Sequence, residues 1–293
     1  MFSLDTPVLE LPVQTIQKIG SFDRLLVHEI KTITSSESTL EEQSMLSGLK
    51  HIESLMLEKE ALALFRICKR LPDKAKILEI GSFQGGSTYS IGRAVENTEI
   101  ELYCLDPWSN YQAQSDFSDF ASCTISDDTR IMNNFIRNTS FIGDKLRMLK
   151  GKSEAFATLL AGMNFDMIFI DGAHDYKSVC NDIKIAFSAL KPGGLICGHD
   201  YHNHGHGVVQ AVTELIAAVP TIETGDDVIE ETYIWFGIVP DPYFEFAMMD
   251  IADSCNDGYY QDALEKAQKA YSRYGKNEIM RFISVLTSIV STG

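Results

Sequence analysis

Long apolar runs are missing from this chain. No stretch approaches the ~20 residues that a helix needs to cross a bilayer, so no membrane role is expected. The opening Met1-Phe2-Ser3-Leu4-Asp5 lacks a basic region followed by an apolar core, and no secretory signal is expected either. Cysteines are few and show no paired pattern. The six (Cys68, Cys104, Cys123, Cys180, Cys197, Cys255) form no C-x-x-C motif, and several sit in apolar runs, as buried free thiols do. That usage fits a reducing cytoplasm, the expected location. Positive charge is scarce: Lys and Arg number 25 against 41 Asp and Glu, for a formal net charge of −16. A chain this acidic lacks the basic surface that general nucleic-acid binding needs, which leaves small molecules and proteins as partners.

A length of 293 residues allows one large core plus an appendage. The rest of the chain is organised around Lys76-Ile77-Leu78-Glu79-Ile80-Gly81-Ser82-Phe83-Gln84-Gly85-Gly86-Ser87-Thr88. An apolar run passes an acid and turns through three glycines; Tyr89, Ile91, Ala94 and Val95 then recur at helical spacing. Glycines at such a turn let backbone approach a ligand closely, and the free amides of the helix start favour a negative group. The spacing is G-x-x-x-G-G, not the G-x-G-x-x-G of dinucleotide binders. Glu79, one residue before the turn, sits where it could pair with a cationic ligand group. S-adenosylmethionine carries an ammonium, a carboxylate and a sulfonium but no phosphate, so it suits this cradle better than NAD.

Ahead of the cradle, Thr39-Leu40-Glu41-Glu42 reads as a capping box. A second helix is expected over Ile52 to Leu71, with Leu55, Met56, Ala61, Leu64, Phe65 and Cys68 facing inward. Residues 1–71 read as a helical cap. After the cradle come a strand to Leu105 ending at Asp106, and a polar segment from Pro107 to about Asp127 containing Trp108. A loop this long suggests a lid. A helix over Asp128 to Asn138 and a strand over Lys145 to Leu149 follow, then a helix opening at Ser153-Glu154. Met167-Ile168-Phe169-Ile170 has the continuous apolarity of a central parallel strand. A helix from Tyr176 to Leu190 ends at Pro192-Gly193-Gly194; strand Leu195 to Cys197, helix Val208 to Val219, a short strand near Ile222 and strand Tyr233 to Val239 complete the pattern. Alternating β and α elements specify a doubly wound, Rossmann-like, mostly parallel α/β sheet, here of seven strands over 72–240, with ligands at the strands' carboxyl ends. Past Pro240 the composition shifts. Residues 241–293 read as a helical appendage in which Gly258-Tyr259-Tyr260 through Tyr271 is similar to the second helix of a tetratricopeptide unit.

Together these motifs resemble a class I S-adenosylmethionine-dependent methyltransferase, over roughly 50–240. The nearest pattern is the branch reading D-G-x-H-x-Y, then P-G-G, then H-D-Y: here Asp171-Gly172-Ala173-His174-Asp175-Tyr176, Pro192-Gly193-Gly194 and His199-Asp200-Tyr201. It is similar to the metal-dependent macrolide-sugar O-methyltransferases and, more distantly, to catechol O-methyltransferase. The resemblance implies that Glu79, Gly81, Ser82, Gly85 and Ser87 hold the cofactor's methionine end, with Asp171 beside them. Asp106 would take the ribose hydroxyls, with Trp108 next to it, and Ser153 and Glu154 the adenine edge. Plain helix capping by Ser153 is the competing reading.

The same resemblance implies a divalent metal held by Asp171, His199 and Asp200. Two carboxylates suit Mg²⁺ or Mn²⁺. The imidazole of His199, where the relatives carry an acid, leaves room for Mn²⁺, Fe²⁺, Zn²⁺ or no metal. His174 matches the relatives' proposed catalytic base, and its ordinary pKa near 6.5 suits that role. The His202, His204 and His206 run reads as a solvated loop, with a transition-metal site as the alternative. The expected activity is methylation of a hydroxyl on a small molecule, a sugar or another natural product. N-methylation and a cofactor-binding scaffold stand as alternatives, and the C-terminal helices are left open as a surface for a homo-oligomer or protein partner.

Overall fold

The computed structural model describes residues 29–109, 128–202, 205–216, 229, 231–239 and 241–292. Helices α1 (Leu40–Leu49) and α2 (Glu58–Cys68) precede strand β1 (Lys76–Ile80). Next come α3 (Gly86–Ala94), β2 (Glu101–Asp106), α4 (Asp128–Thr139), a 3₁₀ turn (Ser140–Lys145) and β3 (Leu146–Lys150). Then follow α5 (Ser153–Leu160), β4 (Phe165–Ile170), α6 (Tyr176–Ala189), β5 (Leu190–Gly198), α7 (His206–Ile216) and β6 (Trp235–Val239). The chain closes with α8 (Pro242–Asn256), α9 (Tyr260–Tyr274) and α10 (Asn277–Thr292).

Among the described residues the sheet has six strands in the order β3-β2-β1-β4-β5-β6, parallel except for β6. The strand expected near Ile222 lies outside the described residues, as do most of the 107–127 segment expected to be a lid and the cysteine Cys123. The sheet begins at β1, winds one way to β2 and β3, then crosses back to β4 and β5. The strand order therefore reverses between β1 and β4, where an open α/β sheet leaves a crevice at its carboxyl edge. Both faces are apolar because helices cover both. Ile77, Met167, Phe169 and Cys197 join α2, α3 and α4 in one core; Leu78, Ile80, Ile168 and Ile170 join α6 and α7 in the other.

Local chemistry sets several boundaries. Thr39 caps α1 with the reciprocal bonds of the expected box: Glu42 N donates to Thr39 Oγ1 at 3.3 Å and Thr39 N to Glu42 Oε2 at 2.7 Å. Glu42 also holds the buried Arg66 of α2 at 2.7 Å, tying the two helices together. The helix expected from Ile52 starts only at Glu58, and Leu55, expected inward, is 68% exposed. Ser54 explains the delay: its hydroxyl accepts from Met56 N at 3.2 Å, a local bond that competes with helix. Strand β5 begins at Leu190, not Leu195. Pro192-Gly193-Gly194 is absorbed as an irregularity in the β4–β5 register, since proline has no ladder donor.

The last three helices enclose their own small core around Ile251, Ala263, Ala267 and Leu286. Helix α8 starts at Asp241, which caps it, with Pro242 in the first turn. It packs on α6, where Lys184 reaches Asp253 at 2.5 Å. None of the described helices is long and apolar enough to cross a membrane.

Candidate active site

Parallel pairing lines up the residues that end each strand. Gly81 N donates to Leu105 O at 2.9 Å, Asp171 N to Ile80 O at 2.8 Å, and His199 N to Ile170 O at 3.0 Å. Gly81, Asp106, Asp171 and His199 thus sit side by side along the crevice. Gly81 has φ +90°, and a Cβ there would lie 2.0 Å from the Asp171 carbonyl oxygen. Only glycine lets the first turn pass this close to the fourth strand's end. Gly85, also left-handed at φ +88°, is the N-cap of α3.

Three expected cofactor contacts occupy other places. Glu79 is wholly buried beneath the turn and exposes nothing to the crevice. Its carboxylate accepts from Ser82 Oγ at 2.6 Å, from Ser87 Oγ at 2.5 Å and from the Thr88 hydroxyl. Burial pushes its pKa up, and these hydroxyls pull it back. The expected pairing with a cationic ligand group is thus replaced by an anchor for the turn. The reason is that three short hydroxyl side chains satisfy the acid locally. Trp108 is also fully buried, packed at 4.8 Å on Phe135, with Nε1 donating to Phe83 O at 2.9 Å. Ser153 is the first residue of α5, not its cap, and its hydroxyl donates to Asp182 of α6. Glu154 beside it is exposed.

Asp106 stands at the end of β2 as expected. Oδ2 accepts from Ser82 N at 2.9 Å and Phe83 N at 2.8 Å, and Oδ1 from Trp108 N at 2.6 Å. It therefore shapes the glycine turn from the neighbouring strand.

The densest chemistry lies past β4 and β5. His174 Nε2 is 3.0 Å from Asp200 Oδ2 and 4.0 Å from Asp171 Oδ1. His199 Nδ1 is 3.3 Å from Asp200 Oδ2 and 3.6 Å from Asp171 Oδ1. His202, expected in a solvated loop, instead turns inward, with Nε2 3.5 Å from Asp200 Oδ1 and its ring 4.8 Å from that of Tyr233. His206 is exposed and His204 lies outside the described residues. One ligand atom each from Asp171, His174 and Asp200 falls within 4.8 Å of the others. Asp200 has φ +60°, a strained backbone for a residue with a Cβ, as functional sites often carry. Gly205 and Gly207 let α7 start close by. A Cβ on them would meet the carbonyl oxygens of Asp200 and His174 at 2.1 and 2.2 Å.

The two acids diverge electrostatically. Burial pushes Asp171 up to about 6, partly offset by the His199 charge. Burial also opposes ionisation of Asp200, but hydrogen bonds from His174, His199 and His202 outweigh it and hold its carboxyl well below the usual range. Burial disfavours charge on His174 as well, yet the Asp200 hydrogen bond raises its pKa overall. His199 is raised further: burial is outweighed by Asp171, Asp200 and the wholly buried Glu60. Glu60 was missed by sequence reasoning. Its signal was present, since it shares the apolar stripe of α2 with Leu64 and Ile67.

Residues 78–201 match the family described as a methyltransferase domain. An uncharacterized protein, R132, of Acanthamoeba polyphaga mimivirus is 26% identical over 154 residues. The match covers 50% of this chain and 62% of that protein, so the chain spans less than two thirds of that relative. Cofactor-bound Rv0187 from MTB is similar in fold, with TM-score 0.49 and 14% identity over 77% of this chain and 100% of that one. An O-methyltransferase from Bacillus cereus in complex with SAH gives TM-score 0.44 and 18% identity over 74% and 96% of the two chains. The strand order and the glycine turn at its switch point agree with that match, and residues 78–201 are thus similar to a methyltransferase domain.

Proposed function

We propose that the chain methylates a hydroxyl of a small molecule, a sugar or another natural-product acceptor, with a divalent ion assisting. The convergence of Asp171, His174 and Asp200 at the carboxyl ends of β4 and β5, beside the Gly81 turn, carries this reading. N-methylation needs neither a base nor a metal of this kind, and a scaffold would have no use for a strained acid ringed by imidazoles.

The residues present fit both bound groups. Three acids, Glu60, Asp171 and Asp200, face the cluster, and among the described residues their ion-pair partners are imidazoles alone. Acids whose counter-charges are imidazoles, which can give up their protons, can exchange them for a cation. Two carboxylates with a nearby imidazole nitrogen suit Mn²⁺ better than Mg²⁺. On the cofactor side, Gly81, Ser82, Gly85 and Ser87 line the turn, with Asp106 and Asp171 on either side. By the resemblance alone Ser153 and Glu154 would take the adenine edge, although the Ser153 hydroxyl is bonded to Asp182. When bound, S-adenosylmethionine supplies the methyl group, and the ion supplies Lewis acidity that lowers the acceptor's pKa.

The chain's own residues do the rest. Asp171, Asp200 and His199 would hold the ion. With Nε2–H donated to Asp200, His174 keeps Nδ1 as its basic atom for the acceptor proton. Most of the rate would come from alignment, because methyl transfer is an in-line displacement. Residues 1–71 serve as cap, 72–240 as catalytic core and 241–293 as an appendage for a partner or a second copy, in a cytoplasmic protein.

Titration calorimetry with S-adenosylhomocysteine and Mn²⁺, alongside turnover on a panel of hydroxylated acceptors, tests this. Asp200→Asn should weaken Mn²⁺ binding and slow turnover while sparing S-adenosylhomocysteine affinity, and chelator should silence the wild type. No binding of S-adenosylhomocysteine would refute the whole reading, and full activity in chelator would refute the metal.

A further inference from the structure

Glu60 lies in the first turn of α2, far in sequence from β4 and β5, and its side chain is wholly buried. Among the described residues its ion-pair contact is His199, whose Nε2 is 3.0 Å from Oε1. The other contacts are backbone: Oε2 accepts from Leu57 N at 2.8 Å and Oε1 from Tyr233 N at 3.1 Å. A carboxylate is costly to bury, so one held against an imidazole calls for a physical reason.

His199 supplies it. The partner of one ring nitrogen decides what the other presents. Here Nδ1 is the nitrogen near the crevice acids, 3.3 Å from Asp200 Oδ2 and 3.6 Å from Asp171 Oδ1. Without an ion Nδ1–H points at those acids; when an ion displaces that proton, the one kept on Nε2 by Glu60 leaves the Nδ1 lone pair to the ion. The Nε2 contact is short but is not aligned as a hydrogen bond, so charge holds the ring against Glu60.

We propose that Glu60 is a positioning residue for the candidate cation site. It keeps His199 protonated at Nε2 and turned with Nδ1 toward Asp171 and Asp200, which makes His199 the nitrogen ligand of the ion. The proposal rests on the metal-assisted reading above. It also makes α2 part of the site: the helix that carries Glu60 packs on α3, which begins at the glycine turn.

The test is Mn²⁺ titration calorimetry on the full chain, without cofactor or acceptor. Glu60→Gln keeps the side-chain shape and an oxygen for Tyr233 N, and should bind Mn²⁺ roughly 10–100-fold more weakly. In a His199→Gln background the same change should cost nothing further. A merely structural Glu60 would lower the melting temperature and act alike in both backgrounds, which would overturn the proposal. The wild type gives a second readout that needs no variant to fold. With Zn²⁺ as a diamagnetic probe, ring-nitrogen NMR should show His199 protonated at Nε2 and metal-bound at Nδ1. Wild type that takes up neither ion refutes the metal-assisted reading and this proposal with it. Wild-type binding with unchanged affinity in Glu60→Gln, or His199 protonated at Nδ1, overturns the Glu60 role and leaves that reading standing.

Discussion

Replacing Asp182 with Asn should stabilise the protein at about pH 8 and change little at about pH 5. Asp182 sits on α6, 4% exposed, and accepts a hydrogen bond from the Ser153 hydroxyl. A Cβ on Gly172 would come within 3.1 Å of Asp182 Oδ2, so the acid lies directly behind the β4 turn. Burial pushes its pKa up from 3.8 to about 7; the Ser153 bond opposes the rise, and the Glu154 and Asp175 charges add to it. The sign follows from proton uptake. Between the unfolded and folded values the native state binds a proton that the unfolded chain has released, so stability falls as pH rises and levels off above the folded pKa. At 1.36 kcal/mol per unit, the part lost between about pH 5 and the folded value is on the order of 2–3 kcal/mol. Asn cannot ionise, yet its oxygen can still accept from Ser153. Urea unfolding of both proteins at the two pH values measures the effect, because all other titrating groups cancel in the difference. A stability difference that stays constant with pH would refute the argument, and would mean that Asp182 ionises inside the fold at little cost.

Two further outcomes follow from the site. Asp106→Ala should weaken S-adenosylhomocysteine binding by roughly 1.5–3 kcal/mol if the acid takes the ribose hydroxyls. Calorimetry checks this, and since three backbone amides lose their acceptor, a lower melting temperature should accompany it. His174→Ala should slow turnover by roughly 10²–10⁴-fold, with partial recovery at higher pH. Wild-type turnover should itself rise with pH through the raised His174 pKa, because only the neutral imidazole accepts a proton; normal turnover of the variant at neutral pH would remove His174 from the chemistry.

Much of the frame was legible because its causes are local. The Thr39 and Glu42 capping box needs only four consecutive residues, and it formed as read. Met167 to Ile170 could only be a strand buried on both faces, and the Gly81 turn followed from residues that tolerate positive φ. Local competition was harder to see. The Ser54 hydroxyl delayed α2 to Glu58, and the Pro192-Gly193-Gly194 break became an irregularity within β5.

Sequence alone determined the order of elements, the acids and histidines that end β4 and β5, and the acidic balance, because periodicity, glycine spacing and charge are properties of neighbouring residues. Tertiary structure decided what those groups meet. It turned Glu79 to the hydroxyls of Ser82, Ser87 and Thr88, buried Trp108, and drew His202 in to Asp200. It also carried Glu60 from an N-terminal helix to His199. Each of these depends on which surfaces pack together across the crevice, and a buried carboxylate takes whichever donors that packing brings within reach.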